Sequence, residues 1–216
     1  MLTTKKMFFI FLPALFLASL ALFIRIVQFE PLQPKTTETN QENTDVNQFV
    51  IPISPDDPIV GNKKAPITII AFEDFACPAC QQQSIILDQL IATYPQKIKI
   101  IWKGLPVHEF PYPSEEAQKY SFCANKQGKF DTFRELAFTN GDNLSSSVLT
   151  SITGEIGLDS KDFDACIQSE APTTYKTQNE QLAQILNIQA VPTYFVNNKQ
   201  IPNPTTLEDW KLLLNL

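Results

Sequence analysis

The chain has 216 residues and a formal net charge of −6, and 44% of its residues are hydrophobic. This length is enough for one domain with a proper core plus appendages. The acidic balance, without a basic cluster, argues against a role in nucleic-acid binding. The four cysteines are Cys77, Cys80, Cys123 and Cys166, and their even number agrees with an oxidising compartment.

The N-terminal segment predicts export. Lys5 and Lys6 precede an uncharged apolar run from Met7 to Ile24. This run is near the lower length limit of a spanning helix and longer than the usual core of a signal peptide. We therefore predict that residues 1–29 are a cytoplasmic tip and transmembrane anchor. The alternative is a cleaved signal peptide with its small-x-small site at 19–21. Either way the rest of the chain is exported, and with the anchor it stays at the cell membrane as a single-pass protein.

A flexible linker is predicted at residues 30–48. This stretch is rich in Thr, Asn, Gln and Pro and has few apolar residues, a composition that does not support a packed core. The folded domain is predicted to span residues 49–216. Its first part predicts an edge strand at Val50–Ile53, followed by a loop from Asp56 to Pro66.

The best-defined local pattern is a strand followed by a helix. Thr68 to Phe72 is a β-branched and aromatic run, which predicts a buried strand. From Ile86 to Tyr94 apolar residues recur at helical spacing. Between the two lies Cys77-Pro78-Ala79-Cys80, and proline is well tolerated in the first turn of a helix. The first cysteine is therefore expected between the end of the strand and the N-terminus of the helix.

That position favours thiol chemistry. Unpaired N–H groups and the positive end of the helix dipole stabilise a thiolate, and such a cysteine pKa can fall from about 8.5 to roughly 3.5–7.5. Cys80, one turn on, lies within disulfide reach of Cys77, so the pair can be a nucleophile with its resolving thiol. Two alternatives are half of a zinc site, for which a second Cys-x-x-Cys is missing, and an inert structural disulfide. We expect no metal site.

A second strand and a helical region follow. Ile98 to Trp102 predicts a strand parallel to the first, joined to it by a right-handed crossover. From Ser114 to Leu186 four helices are predicted, with Ser114 able to cap the first. Because four helices exceed what a crossover needs, residues 114–186 are predicted to form an inserted helical subdomain.

The last part of the chain predicts a hairpin and a closing helix. Val191-Pro192-Thr193 opens a strand that runs to Val196, and Asn197-Asn198 predicts the turn. Thr206 is placed to cap the final helix. The predicted order is βαβ, helical insert, ββα, so the domain is of the α/β class.

This order, with Cys-Pro-x-Cys after the first core strand and Val-Pro-Thr opening the third, resembles the DsbA-like branch of thioredoxin-fold proteins. The resemblance covers roughly Asp57 to Leu216. The stretches that match as they stand are Gly61-Asn62 with Ala65-Pro66, Asp74-Phe75-Ala76-Cys77-Pro78, Cys123-Ala124 with Gln127-Gly128-Lys129-Phe130, and Val191-Pro192-Thr193. It implies a thioredoxin-like fold with a helical insertion, here preceded by the anchor and tether.

The resemblance also implies residue roles. Cys77 is the expected nucleophile and Cys80 the resolving thiol. Pro192 is expected to be cis and to pack against the disulfide, so that Val191 offers backbone groups to an extended substrate. The alternative for Pro192 is an ordinary trans proline at a strand edge.

The sequence departs from the family pattern at two places. The family often has a buried acid six residues before the first cysteine, where this chain has Ala71. Glu73 points to the same face of an ideal strand and is a candidate substitute, but a solvated loop carboxylate is the interpretation that we favour from the sequence. The dipeptide Pro78-Ala79, expected to border the substrate, lacks the histidine of strong oxidases, which predicts a less oxidising pair. His108, the only histidine, is predicted to be an ordinary loop residue.

Cys123 and Cys166 fall on separate helices of the insert. Some relatives carry a second, structural disulfide in this subdomain, and the resemblance therefore implies that these two cysteines are paired. The alternative is two buried free thiols.

These expectations combine into a membrane-tethered dithiol oxidase that acts on exported proteins with cysteines and needs no metal or organic cofactor. The resemblance implies reoxidation by a membrane quinone-linked partner. One alternative is a reductase or isomerase on the same fold. Another is a chaperone-like binding module that uses the groove between sheet and insert.

Overall fold

A computed structural model of the protein describes residues 19–20 and 49–216. Apart from Ser19 and Leu20, the predicted anchor at 1–29 lies outside the described residues, as does the predicted linker at 30–48. Within the described ranges, none of the helices has both the length and the apolar character needed to cross a membrane.

Residues 49–216 contain a five-stranded sheet and seven helices. The strands are Ile59–Gly61 (β1), Ile67–Glu73 (β2), Ile98–Gly104 (β3), Thr193–Val196 (β4) and Lys199–Ile201 (β5). The helices are Pro78–Thr93 (α1), Ser114–Lys126 (α2), Phe130–Thr139 (α3), Ser146–Glu155 (α4), Ser160–Ile167 (α5), Ala171–Ile185 (α6) and Leu207–Leu214 (α7). The strand order is β1-β3-β2-β4-β5. Strands β2 and β3 are parallel, and the other neighbours are antiparallel.

Strand β2 is the centre of the sheet, with helices on both of its faces. Its residues alternate between two apolar clusters. Ile69 and Ala71 join the cluster that includes Leu90 of α1, whereas Ile70 and Phe72 join the cluster of α6. A strand buried on both faces needs an almost continuous apolar run, which explains why this stretch was recognisable in the sequence.

Helices α2 to α6 are inserted between β3 and β4, so the predicted subdomain is present at residues 114–185. It has five helices, one more than the four predicted. Gly128, with a φ of 68°, turns the chain so that the N–H of Lys129 bonds back to Ala124 O at 2.9 Å. This left-handed turn, which glycine adopts without strain, separates α2 from α3.

Two local predictions were wrong. Val50–Ile53 is not a strand, because Pro52 has no N–H to donate and the N–H of Ile51 bonds to the side chain of Asn198. The edge strand is β1 instead, within the stretch predicted to be a loop. Ser114 does not cap α2 but is its first helical residue, and its hydroxyl donates to Asp74 Oδ2 at 2.9 Å.

Candidate active site

Cys77 occupies the N-cap of α1. Its backbone is extended (φ −87°, ψ 115°), and its Sγ accepts a hydrogen bond from the N–H of Cys80 at 3.3 Å. Pro78 follows as the first helical residue, where its missing N–H leaves no bond unmade. The side chain of Cys77 is 5% exposed and that of Cys80 is fully buried. Cys77 is therefore the sulfur that a substrate can reach first.

The pKa values of the two thiols are shifted in opposite directions. The hydrogen bond from the Cys80 thiol, the backbone N–H groups of Cys80 and Ala79 and the charge of His108 lower the pKa of Cys77 to about 6, although burial acts against them. Burial raises the pKa of Cys80 well above its ordinary value. Both cysteines are free in this structure. At neutral pH the arrangement favours a Cys77 thiolate beside a protonated Cys80.

The loop before β4 brings Val191 beside the nucleophile. The Val191–Pro192 peptide bond is cis, and Cys77 Sγ lies 3.7 Å from Val191 O. Pro78 and Ala79, which follow Cys77 in the chain, are exposed. The sulfur of Cys77 thus lies beside the backbone carbonyl of Val191, at the start of α1, whose first two residues are exposed.

Glu73 is not a solvated loop carboxylate, and that interpretation was wrong. It is the last residue of β2, only 1% exposed, because the strand continues through its pairing with Gly104 and through the bond from the N–H of Leu105 to Glu73 O. Its Oε1 accepts a hydrogen bond from the hydroxyl of Tyr194 at 2.5 Å. Burial raises the pKa of Glu73 to about 7, although the hydrogen bond from Tyr194 acts in the opposite direction.

Asp74, which we had not singled out from the sequence, holds the active-site loop. It is 1% exposed, and its Oδ1 accepts the N–H of Ala76 at 3.0 Å. Its Oδ2 lies 2.8 Å from Nδ1 of His108 and accepts the N–H groups of Val107 and His108 and the Ser114 hydroxyl. His108 is therefore tied to the site through Asp74 and is more than an ordinary loop residue.

Cys123 and Cys166 form a disulfide apart from this site. Their Cα atoms are 5.8 Å apart, and the bond joins α2 to α5. The pair packs in an apolar cluster with Phe122, Phe163 and Tyr175, separate from the cluster that contains Cys77 and Cys80. This arrangement fits a structural cross-link.

A family model described as thioredoxin matches residues 54–215. The chain belongs to the thioredoxin family. The matched residues include the Cys77–Cys80 pair and the helices inserted between β3 and β4, so residues 49–216 have a thioredoxin-like fold with a helical insertion.

Two solved structures show the same fold as this thioredoxin-family domain. The thiol-disulfide exchange protein alpha-DsbA2 from Wolbachia pipientis matches with a TM-score of 0.68 and 21% identity, covering 78% of this chain and 89% of that one. A periplasmic thioredoxin-like protein from Salmonella enterica serovar Typhimurium matches with a TM-score of 0.66 and 18% identity, covering 76% of this chain and 91% of that one.

Among curated proteins, the chain is similar to Na(+)/H(+) antiporter NhaA 3 of Salinispora tropica. The two are 25% identical over 161 residues, which are 74% of this chain and 24% of the antiporter. The chain thus spans about a quarter of the length of the curated relatives that it matches.

Proposed function

We propose that the protein is a dithiol oxidase that introduces disulfides into exported proteins by exchange through Cys77 and Cys80. The observation that carries the proposal is the position of Cys77 at the N-cap of α1, where its Sγ accepts a hydrogen bond from the N–H of Cys80. The lowered pKa of Cys77, about 6, agrees with this position. A stabilised thiolate favours the reduced form of the pair, so the Cys77–Cys80 disulfide is a stronger oxidant than an ordinary one.

The reaction has two exchange steps. A substrate thiolate attacks Cys77 Sγ of the disulfide, a new S–S bond forms to Cys77, and the bond to Cys80 breaks with Cys80 leaving as a thiolate. A second substrate thiolate then attacks the substrate sulfur of this mixed disulfide, and Cys77 leaves as the thiolate that its surroundings stabilise. Two electrons pass from substrate to protein, and the substrate gains one disulfide.

Two features favour Cys77 as the sulfur that is attacked. Cys80 is fully buried behind it, so a folded or unfolded polypeptide reaches Cys77 first. The carbonyl of Val191, at 3.7 Å from Cys77 Sγ, is placed to accept a hydrogen bond from the backbone of an extended substrate.

The proposed setting is outside the cytoplasm, on a membrane tether. The support is the sequence of residues 1–29, with two lysines before an apolar run, and the periplasmic location given for the Salmonella protein of the same fold. A membrane quinone-linked protein is the proposed electron acceptor that returns the pair to its disulfide form.

The decisive experiment is redox equilibration of the full-length protein in detergent with glutathione buffers. After an acid quench and alkylation, mass spectrometry gives the fraction of Cys77–Cys80 disulfide. We expect a reduction potential between about −270 mV, as for thioredoxin, and about −120 mV, as for DsbA. A potential at or below −270 mV would instead indicate a reductase.

A substrate assay completes the test. The oxidised protein should transfer its disulfide to a reduced, unfolded protein. The Cys80→Ala variant is first converted at Cys77 to the mixed disulfide with glutathione. A substrate thiolate should then attack Cys77 Sγ, release glutathione as its thiolate, and leave a substrate mixed disulfide through Cys77 that accumulates. Cys77→Ala is the matched control and should form none. Faster refolding of a cysteine-free substrate, without any disulfide transfer, would favour the chaperone-like alternative.

A further inference from the structure

A pocket of about 280 Å³ opens beside Cys77, between the active-site loop and the helical insert. One wall is the segment Phe75–Pro78, with Gln81 of α1. The other wall is Thr139 at the end of α3, with Gly141 and Asp142 of the turn that follows. The turn approaches closely because Gly141 has no side chain. A Cβ at Gly141 would lie 2.6 Å from Phe75 O, closer than real contacts allow.

The polar side chains of the pocket present acceptors. The Thr139 hydroxyl donates its proton to Glu135 O at 2.9 Å, which leaves its oxygen lone pairs for a ligand. Gln81 turns its amide nitrogen to Phe138 O at 2.7 Å, and its amide oxygen is thereby left to accept. Such a lining favours a ligand that brings several hydrogen-bond donors.

Asp142 gives the pocket its charge. It is the one charged residue among the described residues that line the pocket, and it is exposed. Among the described residues it has neither a hydrogen-bond partner for its side chain nor an ion pair. By contrast, Asp88 of α1 is paired with Arg134. The pocket beside Cys77 therefore combines an unpaired carboxylate with the neutral acceptor oxygens of Gln81 and Thr139.

We infer that this pocket is a specificity subsite for a basic side chain, lysine or arginine, that neighbours the reacting cysteine of a protein substrate. The inference rests on the proposed function, since the occupant is part of the polypeptide whose thiol attacks Cys77. Lysine and arginine carry only donors and a positive charge, which match the carboxylate of Asp142 and the oxygens of Gln81 and Thr139.

A basic neighbour also assists the chemistry on the substrate side. A cation next to the substrate cysteine lowers the pKa of that thiol and raises the thiolate fraction that can attack. The net charge of −6 on the chain attracts such segments and repels acidic ones. An acidic residue beside the substrate cysteine would meet the carboxylate of Asp142 and weaken binding.

The test uses dithiol peptides that differ only in the residue on either side of the first cysteine, which is lysine, glutamine or glutamate. Rates of peptide oxidation by the oxidised full-length protein are divided by the rates of the same peptides with oxidised glutathione, which removes intrinsic differences in thiol reactivity. We expect the lysine peptide to be preferred over the glutamine peptide by roughly two- to fivefold, as for an exposed ion pair, and less at high salt.

Variants assign the preference to the pocket. Asp142→Asn should abolish it, and Asp142→Glu should retain most of it. Glu155→Gln is the matched control, since it removes one exposed carboxylate at the end of α4 and should leave the preference unchanged. The inference is overturned if the wild type shows no preference, or if Asp142→Asn keeps it. If wild-type protein oxidises neither dithiothreitol nor any peptide, the proposed function itself fails, and the inference fails with it.

Discussion

The hydroxyl of Tyr194 donates a hydrogen bond to the carboxylate of Glu73, and both groups are buried in the core next to Cys80. Tyr194 pairs with Ala71 across β2 and β4, and Glu73 lies two residues further along the same face of β2. Ala71 occupies the position at which the family resemblance implies an acid. The small alanine leaves the tyrosine in contact with the acid two residues away, and the negative charge of Glu73 contributes to the raised pKa of Cys80.

Glu73→Gln should stabilise the protein at alkaline pH. Folding raises the pKa of Glu73 from 4.5 to about 7. The contribution of the protonated carboxyl to the free energy of unfolding is therefore complete below pH 4.5 and is lost as pH rises through 7. Glutamine mimics the protonated acid and does not titrate. We expect a variant that is more stable than wild type by about 3 kcal/mol at pH 8 but not at pH 4, measured by urea unfolding of the reduced proteins.

Tyr194→Phe is the matched variant for this prediction. Because the tyrosine hydrogen bond lowers the pKa of Glu73, its removal should raise that pKa further and shift the loss of stability to higher pH. Equal pH profiles for wild type and Glu73→Gln would show that the carboxyl does not titrate in this range.

The Cys80 thiol should control the acidity of Cys77. Its hydrogen bond is the largest contribution to the lowered pKa of Cys77, so Cys80→Ala should raise that pKa, whereas Cys80→Ser keeps a donor and should raise it less. The measurement is the rate of Cys77 alkylation against pH, with a midpoint near pH 6 expected for the reduced wild type. In that protein the label should map to Cys77, and faster labelling of Cys80 would reverse the assignment of the nucleophile.

The central part of the fold was predictable because its signals are local. A continuous apolar run identified β2, and the helical spacing after Cys80 identified α1. By contrast β1 has three residues, too few to show a period, and is defined by its pairing with β3. Such a short edge strand is a product of tertiary contacts and leaves no pattern in the sequence.

The same distinction applies to the site. Cys77 and Cys80 could be predicted as the reactive pair from the Cys-x-x-Cys spacing and the start of a helix, because both of these signals depend only on residues that are neighbours in the chain. The role of Asp74 depends on a loop more than thirty residues away, which folds back to donate several hydrogen bonds to it. The carboxylate of Glu73 likewise receives its hydrogen bond from Tyr194, which is 121 residues away in the chain. No periodic pattern encodes such partners.

Asp74→Asn should loosen the active-site loop. This substitution replaces one carboxylate oxygen by an NH₂ group, which cannot accept hydrogen bonds from the groups that now donate to Asp74. Breaking such a buried network typically costs about 3 kcal/mol. Ser114→Ala removes a single one of these bonds and should cost about 1 kcal/mol. Both values follow from urea unfolding of the oxidised proteins. A smaller loss for Asp74→Asn than for Ser114→Ala would contradict the central role of Asp74.

The Cys123–Cys166 disulfide should contribute stability and take no part in electron transfer. It closes a loop with a sequence separation of 43, for which the chain-entropy estimate is about 4 kcal/mol. The double variant Cys123→Ala/Cys166→Ala should therefore melt roughly 10 °C lower and keep the Cys77–Cys80 potential nearly unchanged, since the two pairs pack in separate clusters. The measurements are a thermal scan and equilibration with glutathione. If the variant kept its stability but no longer exchanged disulfides with substrate, the second pair would be a relay.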